Sequence, residues 1–329
     1  MSLLAPTLQA YFTDRLLTQR KASPRTVAAY RDTFRLLLHY ICQLTKKDPV
    51  KLDLSDLNAT RIGEFLCWLE NERNNSVRTR NARLAAIHSF FRYAALRHPE
   101  HAEHIQRVLG IPFKRHEKRT VDYLTMEEVN AILASVDRSR WIGRRDHALL
   151  VLAVQTGLRV SELTGIKVGD LELGTGSHVR CMGKGRKNRA TPLNALTVSV
   201  LENWLKERNG SEGDPLFPTT RGTPLSSDAV QWLLSKYSSL AANNCPTLKS
   251  KNVTPHLLRH TCAMNLLTSG VDITVIALWL GHESIQTTQI YVHADMRLKE
   301  RAIALAASPN VETGRYRPPD ALLTFLESL

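Results

Sequence analysis

Helical periodicity, interrupted at one place, constrains the fold of this chain more than any other feature. Val27, Tyr30 and Phe34 recur at three- and four-residue steps, which places them on one face of a helix. Residues 178–193 differ, because two short alternating segments flank a glycine-rich basic turn, the pattern of a β-hairpin. We therefore predict a mainly α-helical protein with a small antiparallel β-sheet.

Capping signals predict where the helices begin and end. Ser23-Pro24 suits the start of a helix that runs to about residue 44, the second of four helices predicted before residue 110. Thr125 and Glu128 have the spacing of a capping box, and Gly157 suits a left-handed cap after a helix from about residue 141. Further helices are predicted near residues 195–208, 226–242, 255–269 and 272–280.

The length of the chain indicates two domains. Its 329 residues, 43% of them hydrophobic, exceed what one typical domain requires. Residues 112–122 are polar, basic and unpatterned and begin with a proline, which is typical of an interdomain linker. We therefore predict a helical domain over residues 1–111, a linker over 112–122, a second domain over 123–307 and a tail over 308–329.

The net charge of +13 favours a polyanionic partner, either a nucleic acid or an anionic lipid. Arg78, Arg80 and Arg83 lie in the first turns of a helix predicted to begin near residue 76, where cations oppose the helix dipole. A bound phosphate would offset this unfavourable arrangement. We interpret these three arginines as candidate DNA-binding residues, with a merely solvated basic face as the alternative.

Several classes of protein do not fit the sequence. The five cysteines are scattered without a CxxC pair, and His282-Glu283 lacks the second histidine of an HExxH motif, so we expect no metal site. Lys184 lacks the spacing of a nucleotide-binding P-loop, and we expect no ATP or other cofactor. With no signal peptide and no run of about 18 apolar residues, we expect a cytoplasmic, nucleoid-associated protein without a membrane partner.

Residues suited to phosphoryl transfer lie in the predicted second domain. Metal-free cleavage of a phosphodiester needs a nucleophile, cations for the nonbridging oxygens and a proton donor for the leaving oxygen. Arg159 follows the glycine stop at residue 157, from where a guanidinium can bind phosphate. Lys184, between two glycines of the hairpin turn, can reach a leaving oxygen. Taken alone, Arg159 is more commonly explained as a surface arginine, and the Gly-Lys-Gly segment could equally be an ordinary turn.

Three further positions complete the set. His256 and Arg259 are three residues apart at the start of a predicted helix, so both side chains can face one phosphate. His282 follows Leu280-Gly281, and Tyr291 lies nine residues later in a segment too polar for an ordinary core helix. A lone tyrosine is usually structural, and the interpretation depends on the whole set.

This set, in its order and spacing, resembles the tyrosine recombinase family, and Glu162-Leu163 and His293 add to the likeness. The segment Ser23 to Tyr30 also resembles the start of the family's core-binding, SAM-like module. The resemblance covers residues 5–305 and implies a clamp of two domains around DNA: the helical core-binding domain and an α+β catalytic domain.

The resemblance also implies roles for the individual residues. Tyr291 would attack the scissile phosphate to form a 3′-phosphotyrosine, while Arg159 and Arg259 hold the nonbridging oxygens. Lys184 would protonate the departing 5′ oxygen, and His256 would assist proton transfer at the nucleophile.

Supporting roles fall to other residues of the same domain. By the resemblance His282 would hydrogen-bond a phosphate oxygen, and Glu162 would support the site without performing chemistry. We also assign Arg186 and Lys187, in the basic hairpin turn, to DNA binding.

The implied partners are double-stranded recombination sites, two of which pair within a homotetramer that exchanges strands through a Holliday junction. A related recombinase or an accessory protein is an alternative additional partner. Integration, excision or transposition of a mobile element is the expected task, with chromosome or plasmid dimer resolution as the alternative. A type IB topoisomerase and an inactive DNA-binding protein are further alternatives. The first domain and the spacing of Leu280-Gly281-His282 favour a recombinase over a topoisomerase.

The tail generates the first testable prediction. Residues 320–329 form a predicted short helix with several leucines that need burial, and a neighbouring protomer could provide it. Deleting residues 318–329 should therefore weaken cooperative assembly on paired sites more than the binding of one protomer. A gel-shift titration measures both affinities, and an equal loss of both would contradict the idea.

Overall fold

The computed structural model describes residues 4–115, 122–183, 188–282 and 287–294, with side chains up to Tyr291. The chain divides into two compact units, Met1–Lys118 and Arg119–Leu329. The described residues are mainly helical and contain a small antiparallel sheet, which confirms the predicted fold class. Lys184, Arg186, Lys187 and the predicted tail helix lie outside the described residues.

The described part of the first unit is mainly helical. Its helices are α1 (Leu4–Ala10), a π-helix (Tyr11–Gln19), α2 (Pro24–Thr45), α3 (Ala59–Asn71), α4 (Val77–Ala95) and α5 (Ala102–Leu109). Ser23 and Ser76 accept hydrogen bonds from the backbone at the starts of α2 and α4, as N-caps do. The sequence pattern missed α5, because a helix of eight residues with two buried apolar side chains is too short to show a period.

Helix α4 lies at the centre of the first unit, because its apolar positions are almost all buried. Phe90 contacts the rings of Tyr11 and Phe34 edge-on, with centroids 5.5 and 5.3 Å apart. The Tyr11 hydroxyl donates to Oγ of Ser89 at 2.7 Å, so the polar end of a buried ring is satisfied. These contacts fix α4 against the π-helix and α2.

The predicted DNA-binding arginines at the start of α4 have different surroundings. Arg80 is only 6% exposed, and its Nη1 donates to the carbonyl of Pro112 and to Oδ1 of Asn81, both at 3.0 Å. It therefore holds the first residues of the predicted linker against α4, which is the environment of a structural arginine and not of an exposed phosphate contact. Arg78 is exposed and Arg83 half-buried, and DNA binding by these two stays a prediction.

The second unit combines helices with the sheet. Its elements are α6 (Met126–Ala134), α7 (Trp141–Thr156), α8 (Val160–Gly165), β1 (Leu171–Glu172), β2 (His178–Met182), β3 (Asn188–Pro192), α9 (Ala195–Arg208), α10 (Ser227–Ala241), α11 (Pro255–Thr268), α12 (Ile273–Leu280) and α13 (Gln289–Ala294). The described strands follow the order β1-β2-β3 with antiparallel pairing. None of the described helices has the length and apolar character of a membrane span.

The local signals of the sequence are confirmed in this unit. Thr125 and Glu128 form the predicted capping box, and Gly157 ends α7 with a φ of +62°. The predicted hairpin is present, with Met182 opposite Asn188. Strand β1 was not predicted, since a two-residue strand is defined by its partner and not by its own sequence.

Helix α7 carries a buried polar network as well as apolar residues. Asp146 is fully buried, and its Oδ1 accepts from Nε and Nη2 of Arg145 at 2.9 and 2.6 Å. The hydroxyl of Tyr237, on α10, donates to Oδ2 at 2.8 Å. This network joins α7 to α10, and each of its members depends on the others because an unpaired polar group is costly in the low dielectric of the protein interior.

This network predicts the effect of a small substitution. Tyr237→Phe leaves Oδ2 of Asp146 without its donor, which should cost about 1–3 kcal/mol of unfolding free energy. Urea denaturation of the full chain measures the change. Tyr30→Phe, in the other unit, is the control, since the Tyr30 hydroxyl makes no hydrogen bond within the described residues. A wild-type midpoint for Tyr237→Phe would contradict the importance of the network.

Candidate active site

The end of α7 positions the first arginine of the site. After the left-handed Gly157 the chain turns, and Arg159 becomes the N-cap of α8. The carboxylate of Glu162 accepts from the backbone N–H of Arg159 at 2.8 Å and from its Nη1 at 2.9 Å. Nη2 of Arg159 donates to the carbonyl of Gly281 at 3.0 Å. Arg159 is thus connected to the loop after α12.

Arg259, on α11, is the most buried of these cations, at 2% exposure. Its Nη1 donates to the carbonyl of Gly157 at 2.7 Å and its Nη2 to the carbonyl of Leu280 at 2.6 Å. Burial and the neighbouring Arg159 lower the pKa of Arg259 to about 10, so it remains charged at neutral pH. Both arginines therefore donate to adjacent carbonyls at the C-terminal end of α12, where the helix dipole favours cations.

Tyr291 lies on α13 and packs against α11. It is 1% exposed and belongs to an apolar cluster with Ala263, Met264 and Leu280. Its hydroxyl is 2.8 Å from Nδ1 of His260. Burial raises the pKa of Tyr291 to about 12 despite the nearby arginine, which acts in the opposite direction. The phenol is therefore neutral and able to donate a hydrogen bond.

His260 is the side chain that meets the Tyr291 hydroxyl. Burial, with further contributions from His256 and Arg259, lowers the pKa of His260 to about 4. A neutral imidazole can accept the phenolic proton at Nδ1. The family resemblance implied that His256 assists proton transfer at the nucleophile. The His256 side chain is exposed, and its ring lies edge-on to that of His260 with ring centroids 4.3 Å apart.

His282 follows α12 and lies in the same positive environment. Its Nδ1 is 2.7 Å from Oγ1 of Thr288, which fixes the ring. Burial lowers the pKa of His282 to about 4, and Arg259, Arg159 and Arg189 act in the same direction. Because Nδ1 of His282 contacts Thr288, Nε2 is the nitrogen that could contact a ligand.

The described site is an anion-binding arrangement. Arg159, Arg189 and Arg259 carry three positive charges around the Glu162 carboxylate. Burial alone would raise the pKa of Glu162, but hydrogen bonds from Arg159 and Arg189 outweigh it and lower that pKa. An excess of guanidinium over carboxylate suits a phosphodiester. In the described residues no cluster of His, Cys, Asp or Glu could hold a metal ion.

The structure brings together most of the residues that the sequence singled out. Arg159, Glu162, Arg259, His282 and Tyr291 meet around the ends of α7, α11 and α12. Lys184, which the sequence predicts as the proton donor, lies outside the described residues, as do Arg186 and Lys187.

Two residues of the site were missed by sequence reasoning. Arg189 pairs with Glu162 from the neighbouring β3, a contact that no local pattern predicts. His260 had a signal, since it follows His256 by four residues on one helix and such pairs share a face. That spacing would have placed both histidines near the nucleophile.

Comparison with known proteins agrees with this geometry. The model of the phage integrase family matches residues 122–297, and that of the phage integrase N-terminal SAM-like domain matches residues 10–98. A protein of Sinorhizobium fredii named as an integrase/recombinase is 53% identical over 326 residues, which cover 99% of this chain and 98% of the relative. Tyrosine recombinase XerC of Pelobacter propionicus is 31% identical over 303 residues, covering 90% and 95%.

A solved structure extends the likeness to the fold. The Tn1549 transposon integrase in complex with transposon right end DNA has a TM-score of 0.69 to this chain, covering 92% of this chain and 99% of that one. The two are 17% identical in sequence.

The depressed pKa of His260 predicts a pH dependence of stability. An unfolded chain protonates this ring below about 6.5 and the folded chain only below about 4, so stability should fall as the pH drops through that window. His260→Gln, whose amide oxygen can still accept from Tyr291, should melt with a weaker pH dependence than wild type. Calorimetry at several pH values checks this, with the exposed His39→Gln as control. If the melting temperature of His260→Gln changed with pH as steeply as that of wild type, the prediction would be wrong.

Proposed function

Because the chain belongs to the phage integrase family of tyrosine recombinases, whose members cleave and rejoin DNA, we propose that Tyr291 attacks a DNA phosphodiester and forms a 3′-phosphotyrosine. The observation that carries the proposal is the arrangement of Tyr291, His260, Arg159 and Arg259 in one site. It supplies a phenol with a proton acceptor 2.8 Å away, together with two guanidinium groups for a phosphate.

The arginines would act on the charge that develops at phosphorus. Arg159 and Arg259 bind the nonbridging oxygens, and charge-assisted hydrogen bonds from planar guanidinium groups are the strong class. His282 presents its second ring nitrogen to the same phosphate, because Thr288 occupies the first. Lys184 protonates the departing 5′ oxygen in this proposal. Religation reverses the step, since the phosphotyrosine conserves the energy of the phosphodiester bond.

The nucleophile has to leave its described position before it reacts. At 1% exposure the Tyr291 hydroxyl is inaccessible to a phosphate of a duplex. Substrate binding offers a route to release it, because the same arginines that would bind phosphate hold the carbonyls of Leu280 and Gly281. A phosphate anion competes for these donors more strongly than a carbonyl dipole does. The end of α12, which leads to Tyr291, would then be freed.

The proposed partners are duplex recombination sites and further copies of this chain. Four copies on two paired sites exchange strands in two steps through a Holliday junction. The relative of Sinorhizobium fredii, named as an integrase/recombinase and similar over 99% of this chain, supports a task in integration, excision or transposition of a mobile element. Resolution of chromosome or plasmid dimers is the alternative, because tyrosine recombinase XerC is similar over 90% of the chain.

A covalent-capture experiment tests the chemistry. Tyr291→Phe, which should bind but not cleave, is first used to select a site from a random duplex library. Nicked suicide duplexes with that site are then incubated in EDTA with wild type, Tyr291→Phe and the control Tyr123→Phe. A denaturing gel should show a protein–DNA adduct for wild type and Tyr123→Phe alone. An adduct that survives in Tyr291→Phe, or wild type that binds without forming one, would contradict the proposal.

Exchange between two differently labelled duplexes then separates a recombinase from a topoisomerase. A recombinase produces joint molecules and recombinant strands. A type IB topoisomerase relaxes supercoiled DNA under the same conditions without joining separate duplexes.

A further inference from the structure

The carboxylate of Glu162 is shared by two arginines, one of which lies outside the predicted catalytic set. Arg189, on β3, donates from Nη1 to Oε1 at 3.0 Å and from Nη2 to Oε2 at 2.9 Å. Arg159 donates from Nη1 to the same Oε1 and from its backbone N–H to the same Oε2. Each carboxylate oxygen therefore accepts one hydrogen bond from each arginine. The side chain of Arg189 is 13% exposed and that of Glu162 is 3% exposed.

Arg189 also packs against the loop that follows α12. A Cβ atom on Gly281 would lie 2.3 Å from Nη1 of Arg189 and 3.0 Å from its Cζ, so the guanidinium occupies the space that a side chain would need. The carbonyl of the same Gly281 accepts from Nη2 of Arg159. The two arginines thus contact one residue from two directions, and Glu162 connects them.

We propose that Arg189 is a positioning residue for DNA cleavage, which keeps the guanidinium of Arg159 oriented and available to the scissile phosphate through Glu162 and Gly281. This inference rests on the proposed function and adds a residue to it. Arg189 donates to both oxygens of Glu162. The guanidinium of Arg159 donates to Glu162 from Nη1 alone, and its Nη2 donates to the carbonyl of Gly281. Without Arg189, Glu162 could take both nitrogens of Arg159 and withdraw them from a substrate.

The balance of charge supports the same role. Two guanidinium groups around one carboxylate leave a local charge of +1, whereas Arg159 and Glu162 alone would be neutral. A neutral pair attracts a phosphate weakly, and it stabilises the charge of the transition state weakly as well. Arg189 therefore affects the reacting phosphate without touching it.

The geometry also requires the planar fork of arginine. Arg189 binds the two oxygens of Glu162 from two separate nitrogens of one plane, an orientation that the single nitrogen of an ammonium group does not impose. Arg189→Lys should keep the charge and lose the orientation, while Arg189→Met loses both. The two variants consequently separate the contribution of charge from that of geometry.

Single-turnover formation of the Tyr291 adduct on a nicked suicide duplex tests the role, with protein concentration varied to separate the saturating rate from the DNA affinity. Arg189→Met should lower the saturating rate by about 100-fold, the scale expected for a misplaced reacting group. The affinity of Arg189→Met for the duplex should stay at the wild-type value. The saturating rate of Arg189→Lys should lie between those of wild type and Arg189→Met. Arg180→Met is the matched control, because Arg180 is an exposed arginine of the same hairpin that donates to the carbonyl of Gly169.

A double-mutant cycle with Glu162→Gln identifies the route. If Arg189 acts through Glu162, Arg189→Met should slow cleavage much less in the Glu162→Gln background than in wild type. Additive effects on the rate would overturn the proposal, as would a wild-type rate for Arg189→Met or a parallel loss of DNA affinity and melting temperature in Arg189→Lys. Failure of wild type itself to form the adduct is a different result, which contradicts the proposed function.

Discussion

Buried positive charge governs the architecture of the second unit's site. Arg259 is almost fully buried, and Arg159 and Arg189 lie close enough to share one carboxylate. Such charges are costly to bury unless every donor finds an acceptor. In the described structure Glu162 and backbone carbonyls at the ends of α7 and α12 accept from the terminal nitrogens of these arginines, whereas Nε of Arg189 is buried without a hydrogen-bond partner. The positions of these helix ends are therefore linked to the arginines.

The same charges determine the protonation of the groups around them. His260 and His282 are neutral at physiological pH because burial and the adjacent guanidinium groups both disfavour a second cation. Neutral imidazoles can accept a proton or a hydrogen bond, which protonated ones cannot. The two neutral imidazoles therefore offer acceptors beside the arginines without adding a negative charge to that of Glu162.

The sequence predicted those parts of the structure that depend on near neighbours along the chain. The capping box at Thr125, the left-handed cap at Gly157 and the hairpin around Met182 depend on residues within one or two turns, and all three are confirmed. Arg80 and the short helix α5 show where prediction from near neighbours along the chain fails. A basic residue in a first helical turn gives no sign that the carbonyl of Pro112 will pack over it.

The site divides in the same way. The order of Arg159, Arg259, His282 and Tyr291 along the chain was enough to single them out, because each lies in a short recognisable segment. The pairing of Arg189 with Glu162 joins a strand to a helix 27 residues away, and a sequence without its fold carries no record of that contact. Contacts between segments that are distant along the chain are therefore the ones that the pattern misses.

The neutral pair of Tyr291 and His260 connects these points. Burial dominates the pKa of the phenol even with Arg259 nearby, so the hydroxyl keeps its proton while it packs among Ala263 and Met264. The phenol ionises more readily only where water or a nearby guanidinium group replaces that apolar contact. The structure thus holds the Tyr291 phenol next to a proton acceptor but in a place where its charged form is disfavoured.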